Sequence, residues 1–113
     1  MTETEQLVAL RCEACDGSTP RITGAELERL RAQLDDEWTV TDERRLNRRF
    51  KFKDFAGAFA FTSRIAELAE QEGHHPDLKL GWGYVEVELT THANGGLSRN
   101  DFILAAKIDA LAR

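Results

Sequence analysis

The chain has 113 residues, enough for one domain whose hydrophobic core needs no metal or disulfide staple. Hydrophobic residues make up 42% and charged residues 31%, which argues against disorder, and no apolar run approaches a membrane span. A net charge of −5 argues against a nucleic-acid partner. The one basic cluster, Arg44-Arg45 with Arg48-Arg49, is flanked by Asp42 and Glu43 and reads as a solvated strand edge whose charges discourage edge-to-edge association.

Met1 to Gln6 is polar and acidic, so no secretory signal is expected and a cytoplasmic protein is. Residues 1–20 show little periodicity and end in the turn-rich Asp16-Gly17-Ser18-Thr19-Pro20. They read as a partly mobile N-terminal arm ahead of a single domain over residues 21–113. Cys12 and Cys15 form a lone Cys-x-x-Cys in that arm. Zinc needs about four ligands and no second such pair exists, so two reduced thiols are expected, with a zinc shared between chains as the alternative.

Thr23 and Glu26 fit a capping box for a first helix, with Ile22 and Leu27 as its hydrophobic staple. Leu27, Leu30 and Leu34 form its apolar stripe. Trp38 to Val40 is a short strand, and Asp42 to Arg44 a turn. Leu46 to Phe52 then alternates, with Leu46, Phe50 and Phe52 on one face and Arg48 interrupting it.

Asp54 is placed to cap the longest helix, Phe55 to about Gln71. Its main stripe is Phe55, Ala58, Phe59, Thr62, Ile65, Ala66 and Ala69, widened by Phe61 and Leu68. So wide a stripe suits a sheet on one side and leaves room for a contact with a second subunit on the other. Gly73 is suited to a left-handed helix end, and Pro76 holds His75 out of the helical region. A strand follows over Leu80 to Tyr84, where Gly81 and Gly83 suggest close approach of a ligand or another backbone. Val85 to Leu89 is a half-buried antiparallel strand. Thr91 to Leu97 is a loop. Ser98 caps the last helix with Asp101 in the capping-box position, and both faces of that helix are partly apolar, which hints at oligomer contacts.

The order α-β-β-α-β-β-α predicts an α+β fold, a four-stranded antiparallel sheet with helices packed on one face. The chain holds three histidines, His74, His75 and His92. Taken singly, each is more often structural or simply exposed. Two are adjacent and conformationally pinned, and together they suggest one proton-handling pocket. Imidazole titrates near neutrality, so two rings flanking a small molecule can remove one proton and donate another, as elimination of water requires.

Glu70-x-x-x-His74-His75-Pro76, then Trp82 after five residues, His92 after nine more and Asp101 after eight, resembles the pterin-4a-carbinolamine dehydratases. Phe52-Lys53-Asp54-Phe55 with Ala58-Phe59, and Gly96-Leu97-Ser98 after Thr91-His92, are similar to the same family. The resemblance covers about Thr23 to Leu111 and leaves the Cys-x-x-Cys arm outside it. It implies dehydration of a 4a-hydroxytetrahydropterin to the quinonoid dihydropterin, in tetrahydropterin recycling behind a pterin-dependent aromatic amino acid hydroxylase. It also implies no metal, no cofactor, and a homodimer or homotetramer. His74 and His92 would be the acid/base pair and His75 would position the pterin, with a share in proton transfer open to it. Glu70, Pro76, Trp82 and Asp101 would bind or support; the alternatives are a helix cap for Asp101, core packing for Trp82 and a surface carboxylate for Glu70. Some relatives also serve as dimerisation partners of a transcription factor, which gives a binding-module reading. A trihistidine metal hydrolase is a third.

Overall fold

The computed structural model describes residues 7–113, and the acidic Met1–Gln6 stretch lies outside them. Leu7 to Ala9 are helical. The elements that follow are α1 (Gly24–Arg31), β1 (Thr39–Thr41), β2 (Arg45–Lys51), α2 (Phe55–Glu72), β3 (Asp77–Gly81), β4 (Tyr84–Leu89), a 3₁₀ turn (His92–Asn94) and α3 (Arg99–Ala112). The strands form one antiparallel sheet in the order β1-β2-β4-β3, the α+β architecture expected. α2 carries the chain from β2 to the far edge at β3.

Register explains which face is buried. Leu46 lies opposite Leu89 and Phe50 opposite Val85, while Leu78 and Leu80 flank Val87 and Val85 from the other side. Side chains alternate along a strand, so this set shares one face, and Asn47, Arg49, Lys79, Glu86 and Glu88 share the other. The apolar face meets the helices, where Trp38, Ile65, Phe102, Leu104 and Ile108 are almost fully buried.

Local signals placed most element ends. The Asp54 side chain accepts from the Gly57 N–H at 2.8 Å and starts α2. Gly73 ends it at φ 66°, a left-handed conformation that costs glycine little. Ser98 and Asp101 form the full capping box of α3.

Several expectations are corrected. Thr23 stands at the N-cap of α1 without a side-chain cap bond; the Glu43 carboxylate reaches across to accept from Gly24 N–H at 3.0 Å instead. β1 begins at Thr39, because Trp38 turns into the core and donates its indole N–H to Asp109 at 2.8 Å. Arg48 is not a solvated edge charge. It pairs with the buried Asp109 at 2.7 Å and stacks over the Phe50 ring, which is how a cation is tolerated on the apolar face. On α2 the buried residues are Ala58, Phe61, Ile65 and Ala69, whereas Phe55 and Phe59 stay exposed. α3 is buried from Asn100 to Ala106 and again at Ile108 and Asp109. Its second apolar face is therefore taken up inside the protomer, as befits a helix apolar all round.

The β3–β4 connection is a two-residue turn, Trp82-Gly83, with Gly83 at φ 78°, a left-handed conformation that glycine adopts at little cost. At Gly81 the close neighbour is the Tyr84 side chain rather than a ligand or backbone, whereas at Gly83 it is a backbone atom, the Phe52 carbonyl oxygen, 3.1 Å from where a β-carbon would sit.

Candidate active site

The end of α2 and the start of α3 lie side by side, and the histidine turn hangs from the first of them. α2 stops at Glu72, Gly73 reverses the backbone, and His74 follows with Nε2 2.7 Å from Asp101 Oδ1. Asp101 is wholly buried and the His74 side chain is only 12% exposed. The other Asp101 oxygen accepts from the Ser98 backbone N–H at 2.9 Å and the Thr91 hydroxyl at 2.8 Å. Thr91 also exchanges a hydrogen bond with the Ser98 hydroxyl at 2.8 Å.

The arrangement fixes a tautomer. Ser98 N–H and the Thr91 hydroxyl are donors to one oxygen, and a carboxylate only accepts, so His74 Nε2 must carry its hydrogen. The opposite ring nitrogen, Nδ1, is left as the atom that can take or give a proton. The geometry repeats the logic of a histidine held by a buried aspartate, in which the acid orients the ring and the ring does the transfer.

His75 is also paired, but in the open. Its Nε2 meets Glu70 from the last turns of α2, and both side chains are more than half exposed, at 60% and 77%. Pro76 then leads directly into β3.

His92 opens the 3₁₀ turn and is exposed, and its ring has no hydrogen-bond partner among the described residues. Its backbone is firmly placed. Thr91 and Gly96 exchange both backbone hydrogen bonds at 2.7 and 3.3 Å, Gly95 reverses the chain at φ 74°, and the Asn94 side chain caps Gly96 N–H at 3.0 Å. Asp101 thus joins His74 to Thr91, the residue preceding His92. Trp82 is not joined to this group. It is 72% exposed, out of the core, and β3 sets it roughly 16 Å along the strand from the histidine turn at about 3.3 Å per residue.

Two large cavities lie elsewhere. One of about 500 Å³ opens on the polar sheet face between Arg49, Lys79 and Glu86, and one of about 720 Å³ lies between β2, α2 and the end of α3. Neither is lined by a histidine. Among the described residues no group of three or more His, Cys, Asp or Glu is arranged to hold a metal ion.

The arm is close by. Both thiols are free, and Cys12 donates its backbone N–H to Glu72 at 2.9 Å. Burial, reinforced by the Glu72 charge, pushes the Cys12 thiol up to about 12, so at neutral pH it is a protonated, unreactive group. Burial alone would raise the Glu72 carboxyl too. The Cys12 N–H, Lys107 and Arg11 outweigh it and hold Glu72 below the usual glutamate value.

Sequence reasoning named His74, His75, His92, Asp101 and Glu70 but missed Thr91 and Asn100 as supports. Thr91 precedes a histidine and carries no local signal of its own. Asn100 sits in the first turn of a helix, where its long-range bonds leave no trace in spacing.

The profile of the Pterin 4 alpha carbinolamine dehydratase family matches residues 20–111. Proteins carrying that family's name include one from Alkaliphilus metalliredigens (strain QYMF), 46% identical over 91% of this chain and 93% of its own. Another, from Rubrobacter xylanophilus (strain DSM 9941 / JCM 11954 / NBRC 16129 / PRD-1), is 45% identical over 94% of this chain and 98% of its own. The chain therefore belongs to the pterin-4a-carbinolamine dehydratase family, whose name describes removal of water from a pterin carbinolamine.

Among solved structures, a transcriptional coactivator/pterin dehydratase from Brucella melitensis superposes with a TM-score of 0.77 at 37% identity, covering 83% of this chain and all of that one. A pterin dehydratase-like protein described as a RuBisCO assembly factor in the alpha-carboxysome gives 0.58 at 32% identity, over 67% of this chain and 89% of that one.

Proposed function

We propose that this protein dehydrates a 4a-hydroxytetrahydropterin to the quinonoid dihydropterin by histidine acid/base catalysis, and so returns a pterin cofactor to use after an aromatic amino acid hydroxylase has consumed it. One histidine takes the proton from the ring nitrogen beside the carbinolamine carbon. Another protonates the departing hydroxyl, the C–O bond breaks, and a C=N bond forms as water leaves. Every atom is accounted for by two proton transfers, so the step calls for proton donors and acceptors and nothing redox.

His74 and His92 are the assigned pair. The observation that best supports this is the Asp101 carboxylate, which grips His74 through Nε2 and the Thr91 hydroxyl beside His92 with its other oxygen. It leaves Nδ1 of His74 and the unpartnered ring of His92 for proton transfer. His75, exposed and steadied by Glu70, positions the pterin. Pro76 holds the turn on which both rings sit.

A homo-oligomer fits the exposed phenylalanines of α2. Phe55 and Phe59 lie one turn apart at 46% and 55% exposure, on a face left open by the described residues. Cytoplasmic residence goes with the chemistry; no helix among the described residues is long and apolar enough to cross a membrane.

The test is to generate the hydroxytetrahydropterin in situ and follow its loss by ultraviolet absorbance. Acceleration proportional to enzyme concentration is expected. Loss at the buffer rate, with folded protein present, rejects the reading. A binding-module role is the second reading, and the Brucella melitensis protein described as a coactivator is what favours it. Recovery of a regulator by pull-down from a protein that does not accelerate dehydration would establish that reading in place of the first.

A further inference from the structure

The arm that the family resemblance leaves without a role makes a closed ring of contacts around the histidine site. From Glu72 the chain reaches His74 in two residues, and His74 bonds Asp101 at 2.7 Å. Asn100, the neighbour of Asp101, is buried, and its side chain pairs with Glu13 like one rung of a sheet. It accepts from Glu13 N–H at 3.0 Å and donates to Glu13 C=O at 2.6 Å. Next along the arm, Cys12 donates its N–H back to Glu72 at 2.9 Å, which closes the ring.

Further bonds tighten it. Arg11 pairs with Glu72 at 3.0 Å and donates to the Gln71 carbonyl at 3.1 Å. Lys107 of α3 reaches the same Glu72 carboxylate at 3.4 Å. Ten residues further on, Arg21 donates to the Asn94 carbonyl at 2.6 Å, and the Asn94 side chain donates to the carbonyls of Thr19 and Pro20, both at 3.3 Å. The segment from Arg11 to Arg21 therefore touches the end of α2 that leads into the turn of His74, Asn100 beside Asp101 at the start of α3, and Asn94 in the loop of His92.

We propose that this segment is a strap that positions the proton-transfer groups, with Glu72 and Asn100 as positioning residues at its anchors. Without the strap, the polar links between the ends of α2 and α3 among the described residues are the His74–Asp101 bond itself and the Lys107–Glu72 pair, so the histidine turn is held from one side only. Proton transfer needs heavy-atom separations of about 2.6–3.2 Å, and misplacement by about 1 Å can cost on the order of 100-fold in rate. The thiols belong to this role. Cys12 donates S–H to the Asn100 carbonyl at 3.7 Å, and Asn100 donates to Cys15 Sγ at 3.2 Å, so both sulfurs seat the arm on the same residue. A protonated Cys12 keeps that donor.

The experiment uses the full chain and two variants, Asn100→Ala and Arg11→Ala. Arg11 is 70% exposed, so its removal leaves the core intact. The readout is the solvent exchange of the His74 Nε2–H proton by NMR, well below the melting temperature. The buried indole N–H of Trp38, bonded to Asp109 on another part of the molecule, is the internal control. Exchange at His74 should quicken about 10-fold in Asn100→Ala and about 3-fold in Arg11→Ala, with kcat falling by similar factors and Trp38 unmoved. His74 exchange at the wild-type rate in folded Arg11→Ala, or an equal rise at Trp38, overturns the strap. The proposal rests on the acid/base reading of His74 for its effect on kcat alone. A wild-type protein that leaves the hydroxytetrahydropterin untouched defeats that reading, while the exchange measurement still decides the strap.

Discussion

His74 and His75 are neighbours in the chain, each with Nε2 on a carboxylate, yet the two pairs are held in opposite ways. Asp101 is buried and fixed by three donors, one of them the backbone of its own helix start. Glu70 is an exposed residue on the last turn of α2, with no second partner among the described residues to fix it. A carboxylate that cannot move dictates which nitrogen of its histidine is protonated and where the ring points. A mobile one steadies a ring and dictates little. The difference lies in the second partner of each carboxylate, and it separates a ring suited to proton transfer from a ring suited to contact.

The sharpest way to break this contrast is Asp101→Asn. Ser98 N–H and the Thr91 hydroxyl still require an acceptor, so the amide oxygen stays with them and the amide NH₂ faces His74. His74 must then accept at Nε2 and carry its hydrogen on Nδ1, the wrong tautomer for the assigned role. Dehydration should fall on the order of 100-fold to 10,000-fold, as expected when an orienting aspartate becomes an amide. Steady-state rates show the loss, and ring-nitrogen chemical shifts show the tautomer. An active enzyme with Nδ1–H would break the comparison.

His75→Ala sharpens it from the other side. Loss of an exposed pair should change stability by less than about 1 kcal/mol. The Michaelis constant should rise several-fold with kcat nearly unchanged, the pattern of lost uniform binding. An unchanged Michaelis constant would take the pterin-positioning role away.

The smallest effect concerns pH. Glu72 has a folded pKa below its unfolded value, so its pairing adds stability that is complete above the unfolded value, near pH 4.3, and is lost as pH falls through the folded one. Melting temperature below about pH 4.3 should therefore fall less steeply in Glu72→Gln than in wild type. Parallel curves would mean that the arm draws nothing from that charge.

Much of this was legible because it is local. Asp54, Gly73 and the Ser98–Asp101 box act within a few residues of themselves, and each did what its position implied. The strand faces followed from alternation at Val85, Val87 and Leu89. The failures are long-range. Arg48 looked like a surface charge because its partner Asp109 is 61 residues away. Phe55 and Phe59 fit a helical stripe as well as Phe61 does, and only the placement of α2 on the sheet decides between them. The arm's docking depends on Glu13 meeting Asn100 across 87 residues, which no periodicity encodes. Capping also concealed a function-bearing contact. Asp101 satisfied the pattern of a helix start so fully that its grip on His74 needed coordinates to be seen.

The most direct test of the central claim is a cycle of His74→Ala, His92→Ala and the double variant in the dehydration assay. If the two rings serve one elimination as a pair, each single variant should lose on the order of 100-fold or more, and the double should be no slower than the slower single. Losses that multiply in the double, or a single variant with the wild-type rate, would contradict the account.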